Sequence, residues 1–406
     1  MKADLILLAP TLVTCGPSDQ PRCGASMRDL SIVENGALVI QGETIVAVGP
    51  LDEIRSAWEG EEHSYPGCLV PGLVDPHCHP VFAGSRANEF VMRAQGATYQ
   101  QIHEAGGGIF STVRASCAAS DAELEALARE RVLRMLAHGT TTLEAKSGYG
   151  LSTAEELRHL RVIKNLLTPV ELVPTFLGAH AIPPEVARED FVELLCVEMI
   201  PAVAAEKLAE FGDVFCEQGA FTCEESRRIL QCCKDHGMKL RIHAEEFTYQ
   251  GGARMAAELG AASADHLQFL PESDFPILKA AGTIPVMTAG TSFFLGMTQY
   301  APARGLIAAG LPLAIGSDFN AGSNLSESMQ MAMSLAVLQL KLTPEEALIA
   351  ATVNSAHSLG RAHRVGSLEV GKQADVLAVS VRDIREWPYH YGVNLVQSVY
   401  KKGKKL

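Results

Sequence analysis

Two patterns of apolar and polar positions divide the chain. Near the N-terminus, "ADLILLA", "GALVIQG" and "TIVAVG" are short β-rich runs punctuated by Gly and Pro; near the C-terminus, "GSLEVGKQADVLAVSV" and "LVQSVYKKG" repeat that texture. Between about 70 and 360, short apolar runs alternate with longer stretches of helical character at 122–137, 153–166, 224–236 and 328–340. This alternation predicts βα units and a parallel sheet. Eight strands are expected, at 73–76, 140–145, 171–177, 213–217, 239–243, 262–266, 283–288 and 312–317. The fold class that follows is α/β, a TIM (β/α)8-type barrel over 70–360. A small β-sandwich domain would combine residues 1–69 with 361–406 and bring the two ends together.

Composition narrows the partners. Of 406 residues, 47% are apolar and 20% charged, which fits a chain that buries a large core. A net charge of −13 disfavours nucleic acid and anionic membrane as partners. The basic run "KKGKK" reads as a solvated tail or last turn. No run approaches the roughly 20 apolar residues of a membrane span. Pro10 interrupts the apolar start, which lacks a small-residue cleavage site, so a signal peptide is not expected. The ten cysteines lack C-x-x-C spacing and read as reduced thiols, so the expected compartment is the cytoplasm.

Chemistry in a barrel gathers at the C-terminal ends of the strands. His77 and His79 close the first strand in "PGLVDPHCHP", and His180 follows the third. His243 closes the fifth, His266 the sixth and Asp318 the eighth. Alternate strand residues share a face, so His77 and His79 can reach one ion while Cys78 turns away. The remaining histidines, among them His103, His138 and His159, have no such placement. Any single histidine is more often structural than ligating; the joint placement reverses that weighting. Three imidazoles and one carboxylate (His77, His79, His243, Asp318) suit one divalent or trivalent ion, Zn or Fe, with room for a water. Such an ion would generate a metal-activated hydroxide at neutral pH. Glu246, three residues past His243, is the expected proton shuttle, and His266 the group that polarises a carbonyl or orients the nucleophile. Glu245 beside it reads as a solvated helix-start carboxylate.

These residues place the chain in company. "PGLVDPHCH", "RIHAEEF", "SADHL", "GSDFN" and "GSLEVGKQADVLAV" resemble the amidohydrolase superfamily over nearly the whole chain. "FAGSRANEF", "GGGIFSTVRAS", "EAKSGYGL", "TFLGAHAIPPE" and "YHYGVN" look like the imidazolonepropionase family within it. The resemblance implies hydrolysis of the cyclic amide C–N bond of 4-imidazolone-5-propanoate to N-formimino-L-glutamate, a step of histidine degradation, by a homodimer acting on a small molecule. It implies metal ligation by His77, His79, His243 and Asp318, and substrate binding by Arg86, Tyr149, His180, Glu246, Asn320, Gly322 and Ser323. Asp318, as ligand and base, and His266 would handle the nucleophile's proton, and Glu246 would protonate the ring nitrogen.

Read from the residues alone, Arg86 could equally be a surface ion pair with Glu89, and Tyr149 a packing tyrosine. The glycines of "KSGYGL" read as sites of close backbone approach. Binuclear superfamily members carry a bridging lysine on the fourth strand. "DVFCEQG" has none there, which favours one metal, with Cys216 a core residue more than a ligand. Three features depart from the family pattern. Ala321 and "NLS" alter the loop after Asp318, Thr288–Ala289 stand where Leu-Pro is common, and Pro80 where an aliphatic residue is usual. Ala321 bears on loop stiffness. The alternative function is another metal-dependent cyclic amidohydrolase or a deaminase acting on a related heterocycle. A scaffold on a dead hydrolase fold would be expected to lose ligands, and all four candidates are present.

Overall fold

The structure, a computed structural model, describes residues 1–96, 101 and 106–406; His103 lies outside them. Its centre is a parallel barrel whose strands all match the expected runs. They are β6 (Leu73–Asp75), β7 (Thr140–Lys146), β8 (Glu171–Ala179), β9 (Phe211–Cys216), β10 (Lys239–Leu240), β11 (His243–Ala244), β12 (Ser263–His266), β13 (Ile284–Met287) and β14 (Ala314–Ile315). Spatial order follows chain order from β6 to β14, with β10 beside β9. The expected fifth strand is split into β10 and β11 around Arg241 and Ile242. Its ladder persists, because Arg241 N–H donates to Gly212 O at 3.0 Å and Asp265 N–H to Ile242 O at 2.8 Å.

The barrel closes just beyond the ends of β14 and β6. Asp318 N–H donates to His77 O at 2.9 Å, and His79 N–H to Phe319 O at 2.8 Å. Asp75 reinforces the seam by accepting Ser317 N–H at 3.0 Å and its hydroxyl at 2.5 Å. Closure therefore runs through the segments that carry three of the candidate ligands.

Helices cover the outside, and their starts are written locally. Ser120, Thr222 and Thr343 each accept a backbone N–H from a glutamate three residues on, while that glutamate reaches back to the cap. These boxes set the starts of helices Asp121–Ala137, Cys223–Asp235 and Pro344–Ala351. No helix among the described residues is long and apolar enough to cross a membrane.

Both chain ends form a second sheet, as expected for the β-sandwich. Its strands are β1 (Lys2–Val13), β2 (Ile32–Gln41), β3 (Thr44–Pro50), β4 (Glu59–Ser64), β5 (Cys68–Pro71), β15 (Val376–Val379), β16 (Val396–Lys401) and β17 (Lys404–Lys405). The long β1 pairs with β4 through its first half and with β5 from Thr11 onward. Its alternation feeds two apolar clusters: Leu5, Leu7 and Leu12 pack with Ile40 and Val376, whereas Ile6 and Leu8 pack with Val39 and Ile54. The expected 69/70 junction falls inside β5, and only Gly72 separates that strand from the barrel. A Cβ on Gly72 would sit 2.2 Å from Thr141 Oγ1, so the two sheets approach each other through a position that admits no side chain.

The barrel interior is not wholly apolar. Glu144 and Lys146 on β7, Asp213 on β9, Arg241 between β10 and β11, and Asp265 on β12 are fully buried. Lys146 Nζ lies 2.6 Å from Asp213 Oδ2 and 2.9 Å from Glu144 Oε2. Arg241 Nε lies 3.0 Å from Glu144 Oε1, and its Nη2 lies 3.3 Å from Asp265 Oδ2 and 2.7 Å from Pro76 O. Burial alone would lift the Asp213 carboxyl, but His243 and Lys146 outweigh it and hold it well below the usual range. Removing one cation strands buried anions. Arg241→Met should therefore lower unfolding free energy by ~3–5 kcal/mol, read as a shift in urea midpoint at unchanged slope; a shift within error of wild type would refute a structural role for this layer.

Candidate metal centre and active site

The strand ends deliver their side chains to one buried point. His79 Nε2 lies 3.4 Å from His77 Nε2 and 3.4 Å from His243 Nε2. Asp318 Oδ1 lies 3.4 Å from His77 Nε2 and 3.5 Å from His79 Nε2. His266 joins His77 and Asp318 in an overlapping group. The backbone is left-handed at His266 (φ 77°) and Asp318 (φ 50°). Such geometry costs about 1–3 kcal/mol per residue and persists where surrounding contacts enforce it.

The donor set fits a cation. His77 Nδ1–H donates to Asp265 at 2.6 Å, and His243 Nδ1 lies 3.0 Å from Asp213 Oδ2. With those Nδ1 atoms committed, the Nε2 atoms of His77 and His243 are the ones that face the centre. Ring nitrogens 3.4 Å apart need a proton or a cation between them. Ligands about 2.0–2.1 Å from a tetrahedral ion stand about 3.3–3.4 Å apart, and the observed separations of 3.4 to 3.5 Å match. Cys216 is buried core and belongs to none of the metal-competent groups among the described residues.

Proton-handling groups border this point. Glu246 is buried, and burial, then Asp318 and Glu217, push its carboxyl well above the usual range. Its Oε1 lies 3.8 Å from His266 Nδ1, which is also hydrogen-bonded to Thr288 at 2.9 Å. His266 Nε2 is buried without a partner. The Thr291 hydroxyl donates to Asp318 Oδ2, and Asn320 Nδ2 donates to Asp318 Oδ1 at 3.1 Å. Glu217 accepts the backbone N–H groups of Phe247 at 2.8 Å and Thr248 at 3.2 Å, anchoring the loop that carries Glu246. Glu245 is a correction on both counts: it lies in a bend ahead of the helix Gly252–Leu259 rather than at a helix start, and it is fully buried rather than solvated. Its backbone is left-handed (φ 54°), and its buried carboxylate accepts the N–H groups of Gly252 at 2.8 Å and Ala253 at 3.0 Å.

The other candidate residues line the approach. His180 stacks on His79 with centroids 5.4 Å apart, and its Nδ1–H donates to Gly148 O at 3.0 Å. Burial, then His243, pushes its pKa down to about 3, so the ring is neutral. A Cβ on Gly148 would meet His180 Nδ1 at 2.8 Å, the close approach anticipated for this glycine-rich turn. Tyr149 is buried against His180 and Phe82. The altered loop is tightly bonded. Asn320 Oδ1 accepts N–H from Gly322 and Ser323, both at 2.8 Å, and Asn324 Nδ2 donates to Ser317 O at 2.6 Å. Arg86 stands at the rim with Nε 2.9 Å and Nη2 2.6 Å from the Glu89 carboxylate, so the ion pair does form. All the expected site residues thus fall in one region.

Sequence reasoning passed over Asp213, Asp265, Lys146, Arg241, Thr288, Thr291 and Glu217. A signal existed for some: Lys146 lies two residues from Glu144, and Arg241 two from His243, charges at strand period inside apolar runs. Thr288 stood out only as a departure from the family pattern, and nothing local marked Thr291.

The chain matches the amidohydrolase family model over residues 68–406, and a bacterial imidazolonepropionase-like composite domain over 36–58. It is 47% identical to the imidazolonepropionase of Geobacillus kaustophilus, covering 100% of this chain and 98% of that protein. It is also 47% identical to that of Symbiobacterium thermophilum, over 98% and 96% respectively. Among solved structures, a zinc-bound adenosine deaminase from Xanthomonas campestris aligns at TM-score 0.73 and 21% identity, covering 100% of this chain and 93% of that one. At that identity the likeness establishes the fold alone.

Because Asp265 and Asp213 orient ligands without touching the centre, Asp265→Asn and Asp213→Asn should each weaken metal affinity about 10–100-fold. Chelator competition on the purified variants measures this; wild-type affinity in both would contradict the orienting role.

Proposed function

The chain belongs to the imidazolonepropionase family of amidohydrolases, and from that premise we propose how its residues divide the work. The reaction is hydrolysis of the cyclic amide C–N bond of 4-imidazolone-5-propanoate to N-formimino-L-glutamate in histidine degradation. One ion, zinc or iron, would be held by His77, His79, His243 and Asp318. When bound, it supplies Lewis-acid chemistry, polarising a carbonyl oxygen and lowering the pKa of water toward 7.

The protein's own groups then move the protons. Asp318, steered by Thr291 and Asn320, accepts a proton from the attacking water. With Thr288 on Nδ1, His266 can turn its unpartnered Nε2 toward the developing oxyanion at the ring carbonyl. Glu246, kept protonated by burial, gives its proton to the ring nitrogen as the C–N bond breaks. Arg86 and Tyr149 take the propionate tail and His180 the ring, with Asn320, Gly322 and Ser323 shaping the loop over them. The observation that carries this reading is a buried carboxyl, held well above its usual range by burial, placed beside a cluster of His77, His79, His243 and the Asp318 carboxylate. We further propose a cytoplasmic homodimer. The exposed apolar side chains Phe293, Leu325 and Val393 support the dimer.

Loss of imidazolonepropionate absorbance on adding enzyme, abolished by a chelator and restored by metal, tests the activity. Glu246→Gln should retain its metal and lose about 10²–10⁴-fold in kcat; near-wild-type turnover removes Glu246 from the mechanism. Arg86→Met should raise KM by about 10–100-fold with a smaller change in kcat, reflecting a lost charge-assisted hydrogen bond. An unchanged KM would indicate a substrate held without its tail.

A further inference from the structure

Arg86 cannot offer its whole guanidinium to a ligand. Two of its three nitrogens, Nε and Nη2, are taken by Glu89 at 2.9 and 2.6 Å. Nη1 has no partner among the described residues and lies against the loop after Asp318. A Cβ built on Gly322 would stand 1.9 Å from it, so only glycine lets the guanidinium reach this position. Arg93, on the same helix Ala87–Ala94, donates to Gly322 O at 3.0 Å and holds that loop from the other side. Glu89 pairs with Arg86 and acts on Arg93 only through space, so two guanidinium groups stand near one carboxylate, a local positive balance among the described residues in a chain whose net charge is −13. Glu89 itself is buried and accepts the Gly108 N–H at 3.0 Å, which ties the "GGGIF" turn to the same point.

We propose that Glu89 is a positioning residue for the substrate's acidic tail: it clamps the Nε/Nη2 edge of Arg86 so that Nη1, and no other edge, meets the carboxylate. The inference rests on the reading of Arg86 as the tail-binding group. A free arginine side chain samples many rotamers, and an arginine at the rim can swing into solvent; the bidentate clamp removes that freedom before the ligand arrives. The clamp partly neutralises Arg86, so Glu89 could instead compete with the tail. Burial of Glu89 and its second bond to Gly108 favour a fixed part over a displaceable one.

The test uses metal-loaded full-length enzyme with Glu89→Ala, Glu89→Gln and Glu89→Asp, each assayed on imidazolonepropionate and on its neutral propanamide analogue. Glu89→Ala should raise KM for the acid about tenfold, with kcat within about threefold and KM for the amide little changed. Glu89→Asp should recover part of the loss. Glu89→Gln, which preserves shape and the Gly108 contact, keeps the test open if the alanine variant folds poorly, and should shift KM in the same direction. Equal rises for acid and amide would overturn the proposal in favour of a purely structural role. An unchanged or lowered KM for the acid would overturn it in favour of competition. Arg86→Met assayed alongside separates the two levels: if it raises KM for the acid while the Glu89 variants do not, only the clamp fails. If it leaves that KM unchanged, the tail-binding reading fails and the clamp with it.

Discussion

The site depends on an ionic layer sealed inside the barrel. Lys146 and Arg241 hold Glu144, Asp213 and Asp265 in a space closed to bulk solvent. Isolated, each charge would be prohibitively costly; together they satisfy one another and leave carboxylate oxygens aimed upward. Those oxygens meet His77 Nδ1 and His243 Nδ1. These contacts fix the Nδ1 side of the two imidazoles and so leave their Nε2 atoms facing the candidate metal centre. A hydrophobic filling of the same volume could stabilise the barrel as well, but it could not orient the rings.

The seam of the barrel is the second constraint. Its closing hydrogen bonds pass through His77, His79 and Asp318, so the fold cannot close without assembling part of the site. The left-handed backbone at Asp318 and His266 is held by that closure and by Thr288 and Thr291. In the loop that follows, side chains supply the stiffness. Asn320 bonds its own loop and Asn324 bonds back to Ser317.

How much of this was legible differs from residue to residue. The βα cadence placed every barrel strand, and the ligands at strand ends stood out because polar residues there interrupt apolar runs. The contacts of Thr288 and Thr291 were invisible, since a hydroxyl just past a strand looks the same whether or not a histidine or carboxylate waits opposite. Glu245 was misjudged because its burial, and the N–H groups of Gly252 and Ala253 that satisfy it, are not encoded in the local pattern. For Arg86, the ion pair and the binding role looked like alternatives. The structure shows the pair in place with one nitrogen still open, so the two need not exclude each other.

Local pattern by itself determined the class of fold, the strand-end histidines and aspartate, and the family. Those depend on periodicity and on residue types a few positions apart, where side-chain direction follows from backbone geometry. Only the tertiary structure decided which charges face which. Glu144 and Lys146 lie on β7, Asp213 on β9, Asp265 on β12 and Arg241 in the gap between β10 and β11. An electrostatic contact across a barrel is a matter of distance in space, which no spacing along the chain records.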